Sequence, residues 1–144
     1  MFGGVASISK TGVAMRKAIL MMLLAVVSSG AMADWVQIDD NETVGITAYA
    51  DPASIRQAGN RVKMWVLVDY KTAKTTADGK TFMSVKSQNE YDCKEEKSRI
   101  FYANIHPKNM AGGEIVSVSI KPRDWEPNEP GSVGEALWKI ACRR

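Results

Sequence analysis

Three side chains in this sequence could define a reactive site: Cys93, Cys142 and His106, the only two cysteines and the only histidine of 144 residues. A zinc site draws four ligands from Cys, His and acids, and this sparse set does not supply them; no metal and no cofactor is expected. A catalytic thiolate needs a base beside it, and no spacing orients His106 toward either cysteine. His106 stands next to Pro107 and reads as a loop residue, not a general base. Two thiols in an exported chain become a disulfide. A Cys93–Cys142 bond closes a loop of about 50 residues, worth roughly 4 kcal/mol in the chain-entropy view.

Other motifs carry less. Ala111-Gly112-Gly113 lacks the Lys-Ser/Thr of a phosphate loop and reads as a turn into a strand. Cys93-Lys94-Glu95-Glu96-Lys97 is a charged hairpin connection, not an acid–base pair. Asn41-Glu42-Thr43 fits a glycosylation sequon, a three-residue pattern of low specificity. No nucleophile, acid and base can be named together, so the chain reads as a non-enzyme.

The compartment comes from the N-terminus. Met15-Arg16-Lys17 is a basic start, Ala18 to Val27 an apolar run of ten, and Ala31-Met32-Ala33 a small-x-small processing signal. Ten apolar residues fall short of the roughly 20 that span a bilayer. The expectation is a signal peptide over 1–33, with Met15 as the true start and cleavage between Ala33 and Asp34. No cysteine stands at the processing point for lipid attachment. The destination is the periplasm or the exterior.

Processing also changes the charge. The whole chain has 19 bases and 16 acids, a formal net charge of +3. Lys10, Arg16 and Lys17 leave with the signal, so 16 bases face 16 acids. The basic excess belongs to the targeting segment, and nucleic acid is not an expected partner. At 45% hydrophobic and 24% charged residues the whole chain has the balance of a folded protein, and the remaining 34–144 reads as one domain.

Its elements follow from period. Trp35–Ile38 and Thr43–Tyr49 read as strands around an Asp39-Asp40-Asn41 turn. Asp51-Pro52 reads as a stop, with one helical turn over Ala53–Gln57. Arg61–Lys71 is the clearest strand: Val62, Met64, Val66, Val68 and Tyr70 share one face by period two, and Lys63, Trp65, Leu67 and Asp69 share the other. Phe82–Cys93 places Met83, Val85, Tyr91 and Cys93 on one face. Ser84, Lys86, Gln88, Glu90 and Asp92 lie opposite, toward water. Ser98–Ile105 and Glu114–Lys121 complete an antiparallel meander of about six strands, with Pro107–Gly113 as a loop between them.

The last segment changes period. Ser132 with Glu135 forms a capping box, and Val133, Ala136, Leu137, Ile140 and Ala141 recur at helical spacing, leaving only Glu135, Lys139 and Arg143 as a polar wedge. The fold class is therefore α+β, a small sheet with a C-terminal helix pinned to one face by the cysteines and Trp138 packed beside the bond. Trp65 and Leu67 stand out on the face away from most apolar residues. Either they lie under the helix, or they form a candidate interaction surface for a second copy or another protein.

In order and spacing, Tyr49-Ala50-Asp51-Pro52-Ala53-Ser54-Ile55, Val62 to Lys71 (VKMWVLVDYK), Glu90 to Glu95 (EYDCKE) and Pro130 to Cys142 (PGSVGEALWKIAC) resemble the bacterial surface-adhesin protein E family. The resemblance covers nearly all of 34–144. It implies a small antiparallel sheet with a cysteine-tethered C-terminal helix, a tendency to form homodimers, and binding of host extracellular-matrix or plasma proteins. Relatives with this pattern also include small periplasmic proteins, so the alternative expectation is a soluble envelope protein contacting only bacterial partners.

Overall fold

The computed structural model describes residues 34–144; the signal-peptide reading, Met15 and Ala33 lie outside them. Alternating, β-branched sequence between Val36 and His106 forms five long strands: β1 (Val36–Asn41), β2 (Ile46–Ala58), β3 (Arg61–Thr75), β4 (Thr81–Asp92) and β5 (Lys97–His106). Two short strands follow, β6 (Ser117–Ser119) and β7 (Glu126–Pro127), then one helix, α1 (Val133–Cys142). The sheet runs β1-β2-β3-β4-β5-β6, every pair antiparallel, and β7 also pairs with β5. The expected meander and helix are both present.

The connections are short where chain chemistry permits. β2 and β3 are joined by Gly59-Asn60 between the paired Ala58 and Arg61. Gly59 takes φ +62, the positive value a two-residue hairpin turn requires. Asp92 closes the next turn but one, its Oδ1 accepting the Lys94 and Glu95 N–H groups at 3.0 Å.

Four local expectations are corrected. Asp39-Asp40-Asn41 belongs to β1, not to a turn. β2 does not stop at Asp51-Pro52, and Ala53–Gln57 is not helical; the strand runs through, with a register shift between Asp51 and Arg56. Pro52 has no N–H for the ladder, and the Ser54 hydroxyl takes over locally. It donates to Asp51 O at 2.6 Å and accepts the Trp65 N–H at 2.8 Å. β6 is three residues, not Glu114–Lys121, although Val116 and Arg123 still donate to Ile105 and Ile100 along the β5 edge. His106 is no loop residue: it ends β5 and is buried.

The helix begins as its sequence dictates. Ser132 is the N-cap, accepting the Glu135 N–H at 3.1 Å. The reciprocal contact of Glu135 goes to the Gly131 N–H at 3.4 Å, because the Ser132 N–H already donates to Glu129 O. Leu137, Trp138 and Ala141 are buried against Ala50, Val62, Met64, Val66 and Tyr91. The helix therefore covers the Val62–Val68 face, and Trp65 and Leu67 point away from it. Cys93 and Cys142 are bonded, with Cα atoms 5.7 Å apart. The Trp138 Nε1–H donates to Asp92 O at 2.9 Å, one residue before Cys93.

Candidate binding face

With α1 on one side, the residues of the opposite side of the sheet make up the second face. Strand register places Tyr49, Asp51, Lys63, Trp65, Leu67, Lys86, Gln88, Glu90, Arg99 and Tyr102 there. A bulge in β5, where Gln88 pairs Tyr102 but Asn89 pairs Ile100, inserts Phe101 as an extra residue. Bulges re-aim side chains, and Phe101 lies against Lys63 and Arg99 of this same face.

Among the described residues no second layer covers this face, and it closes itself in three ways. At one end Trp125, from the segment before β7, stacks under two guanidinium groups, with Arg99 Cζ at 4.5 Å and Arg61 Cζ at 5.3 Å from its ring centroid. Lys63 Nζ sits 3.7 Å from the Phe101 centroid. Within this stack Glu90 is 6% exposed, and Arg99 donates to its Oε1 from Nε at 2.8 Å and Nη2 at 2.7 Å. A buried carboxylate needs such a charged, hydrogen-bonded partner. In the middle, Trp65 and Tyr102 meet edge to face at 5.9 Å and Lys86 Nζ lies 5.0 Å from the Trp65 centroid.

At the far end the loop after β5 folds back. Asp69 Oδ1 accepts from Asn109 Nδ2 at 3.0 Å and Met110 N–H at 2.9 Å. Ser84 Oγ donates to Lys108 O and accepts the Ala111 N–H. These bonds hold Met110 and Ala111 at φ +56 and +57, a left-handed conformation that costs non-glycine residues roughly 1–2 kcal/mol each. Beside this loop His106 has its Nδ1 3.4 Å from Gly113 O, and its buried Nε2 has no partner among the described residues.

The expectation that Ser84 and Glu90 face water is therefore corrected: both are buried, one by the returning loop and one by the stack. Cys93 and Cys142 are brought together as expected. Trp65 is part-buried on the second face. Leu67 beside it is fully buried and offers no surface of its own within one chain. Asp34 is exposed at the start of the described residues. In the sequon, the Asn41 side chain accepts the Val44 N–H at 3.1 Å and serves the β1–β2 turn. The residues that sequence reading did not single out are Phe101, Trp125 and Arg99. The available signal was the cluster of aromatics and bases between 97 and 125.

A separate hollow of ≈ 290 Å³ lies between β5, β7 and the start of α1, lined by Asn89, Ser98, Asn128, Glu129 and Ser132 among others. Its walls mix polar and apolar surface, Ile100 and Pro127 among them, and the Ser98 hydroxyl donates to Asn128 Oδ1.

These features define a class: a small antiparallel α+β sheet, one face shut by a disulfide-tethered helix and the other built of cation–aromatic stacks. The chain belongs to the Surface-adhesin protein E family, whose sequence profile matches residues 35–143. Its fold is similar to that of crystal form II of Haemophilus influenzae protein E, with TM-score 0.61 and 13% identity, covering 78% of this chain and 90% of that one. A second Haemophilus influenzae protein E structure gives 0.59 at 14% identity, over 78% and 86%. Protein E from non-typeable Haemophilus influenzae gives 0.54 at 13%, over 77% and 74%. At these identities the likeness is one of fold. No curated protein sequence is significantly similar to the chain. Among the described residues no helix is long and apolar enough to cross a membrane.

Proposed function

We propose that this is an exported, non-catalytic binding protein of the surface-adhesin type, directed out of the cytoplasm by residues 1–33 and cleaved between Ala33 and Asp34. It docks extracellular-matrix or plasma proteins on the second face, around Trp65 and Tyr102. The observation that carries this reading is the asymmetry of the sheet in a chain of the adhesin family. One face is spent on the core, while the other keeps part-buried aromatic rings and unpaired cations within reach of solvent. Residues of that kind are enriched at protein interfaces. A homodimer is part of the proposal.

A solid-phase assay with immobilised matrix proteins tests it. Saturable binding that Trp65→Ala weakens supports the reading; no saturable binding by the oxidised protein sinks it. Sedimentation equilibrium tests the homodimer, and a monomer at micromolar concentration would remove that part.

The alternative is a soluble periplasmic envelope protein that contacts only bacterial partners, and the residue that favours it is Asp34 at the processing point, where a lipid-anchored protein carries cysteine. Cell fractionation with intact-mass measurement separates the two. A surface-exposed pool supports adhesion, a periplasmic pool the alternative, and the mass fixes the cleavage site.

A further inference from the structure

The second face holds more positive charge than the composition of 34–144 announces. Arg61 and Lys63 follow one another on this face of β3, and Lys86 lies on β4 opposite Leu67. Leu67 lies six residues beyond Arg61, so the row extends about 20 Å along the strands. The ion pairs among the described residues engage Lys71, Lys80, Arg99 and Lys139. Arg61, Lys63 and Lys86 therefore have no carboxylate within 4.0 Å among those residues.

Three of the acids that share the face are used internally: Glu90 is buried under Arg99, Asp92 caps the turn after β4, and Asp69 holds the 109–111 loop. The fourth, Asp51, is 8% exposed, and its buried Oδ1 has no hydrogen-bond partner among the described residues. Asp124 and Glu126, flanking the Trp125 ring under Arg61, are exposed acids beside the row.

Each of the three cations rests on an aromatic ring: Arg61 on Trp125, Lys63 on Phe101 and Lys86 on Trp65. Cation–π contact limits the side chain's freedom without neutralising its charge. Less entropy is then lost when an anion arrives. The same contacts occupy ring faces that single-stranded nucleic acid would need for base stacking. What remains is a row of charges read along an extended chain. We propose that this row binds a sulfated or carboxylated polysaccharide, so that the adhesin-type face recognises the acidic glycan of the matrix in addition to protein. The proposal rests on the second face being the binding face.

Immobilised heparin is the probe, with the oxidised protein as ligand. The expected result is saturable retention that weakens with salt. Lys63→Gln/Lys86→Gln/Arg61→Gln should lose about fivefold in affinity for each cation removed. Removing the same charge elsewhere, in Lys94→Gln/Lys121→Gln/Arg144→Gln, should leave binding within twofold. Equal loss in the two triple variants would mean bulk charge alone and overturn the proposal. So would single-stranded DNA of equal charge binding as tightly as heparin. If the first triple variant melts below wild type, Lys86→Gln alone is read, with the same fivefold expectation. Matrix protein stripped of its glycosaminoglycan separates this from the reading above. Its binding tests protein docking whatever heparin does, and heparin binding without it would leave the polysaccharide site standing while protein docking fell.

Discussion

The two faces of one sheet are closed by different physics. Under α1, Met64, Val66, Ala50 and Tyr91 meet Leu137, Trp138 and Ala141 in a dry apolar layer, and a covalent bond holds that layer shut. Across the same strands, Leu67 is just as buried, with Tyr49 and Lys86 opposite it in register, yet the rest of that face is built from Lys63, Glu90, Arg99 and four aromatic rings. The first face stays closed because water is expelled from it. The second stays closed only as far as side chains can lie on one another, and it keeps charge at its surface. A chain of this size can complete one core with help and has little apolar sequence left for another. The open face is the one proposed to meet partners.

That contrast can be broken from either side. The largest effect is expected from Cys93→Ser, which should lower stability by about 4 kcal/mol and release α1; a thermal midpoint equal to wild type under oxidising conditions would show that the helix face closes without the bond. Next comes Arg99→Met, which leaves Glu90 charged and buried without its partner and should cost about 3 kcal/mol. Urea unfolding measures it, and a cost near zero would mean that stacking alone supports the second face. Trp138→Phe removes the Nε1 donor to Asp92 O together with part of the buried indole, for a loss of about 2 kcal/mol. A neutral result would reduce that contact to a passenger of the disulfide.

The smallest effect concerns pH. Burial pushes the Tyr91 phenol well above its ordinary value, and Tyr70 is raised by the same cause. A folded pKa above the unfolded one stabilises fully below the unfolded value of about 10 and loses that contribution as pH rises beyond it. The Tyr91 hydroxyl makes no hydrogen bond of normal geometry among the described residues, and the Asn89 side chain beside it only partly offsets the burial. Tyr91→Phe should therefore change neutral-pH stability by less than about 1 kcal/mol and make the alkaline decline shallower, Tyr70 keeping part of it. Melting curves from pH 8 to about pH 11 read the difference. An unchanged decline would mean that Tyr91 does not titrate with unfolding.

Most of the closed face was legible in the sequence because it obeys period. Val62 to Val68 alternates, Ser132 caps, and Leu137, Ile140 and Ala141 recur with the helix, so the meander, the helix and the cysteine pair could be read together. The open face breaks period. Phe101 reaches it through a bulge that no alternation announces. Trp125 comes from an irregular segment 26 residues beyond the Arg99 it covers. β2 continues past Pro52 only because Ser54 supplies a side-chain acceptor to a neighbouring strand. Glu90 and Ser84 look solvent-facing by pattern and are buried by partners distant in sequence. Local rules gave the scaffold, while tertiary contacts made the candidate site.

Docking on the face opposite α1 is tested most directly by hydrogen exchange of the oxidised protein, free and bound to an immobilised matrix protein. New protection is expected only in β3, β4 and β5 around Lys63, Trp65, Lys86 and Tyr102, with α1 unchanged. Protection concentrated on α1, or no saturable binding to protect anything, would contradict it.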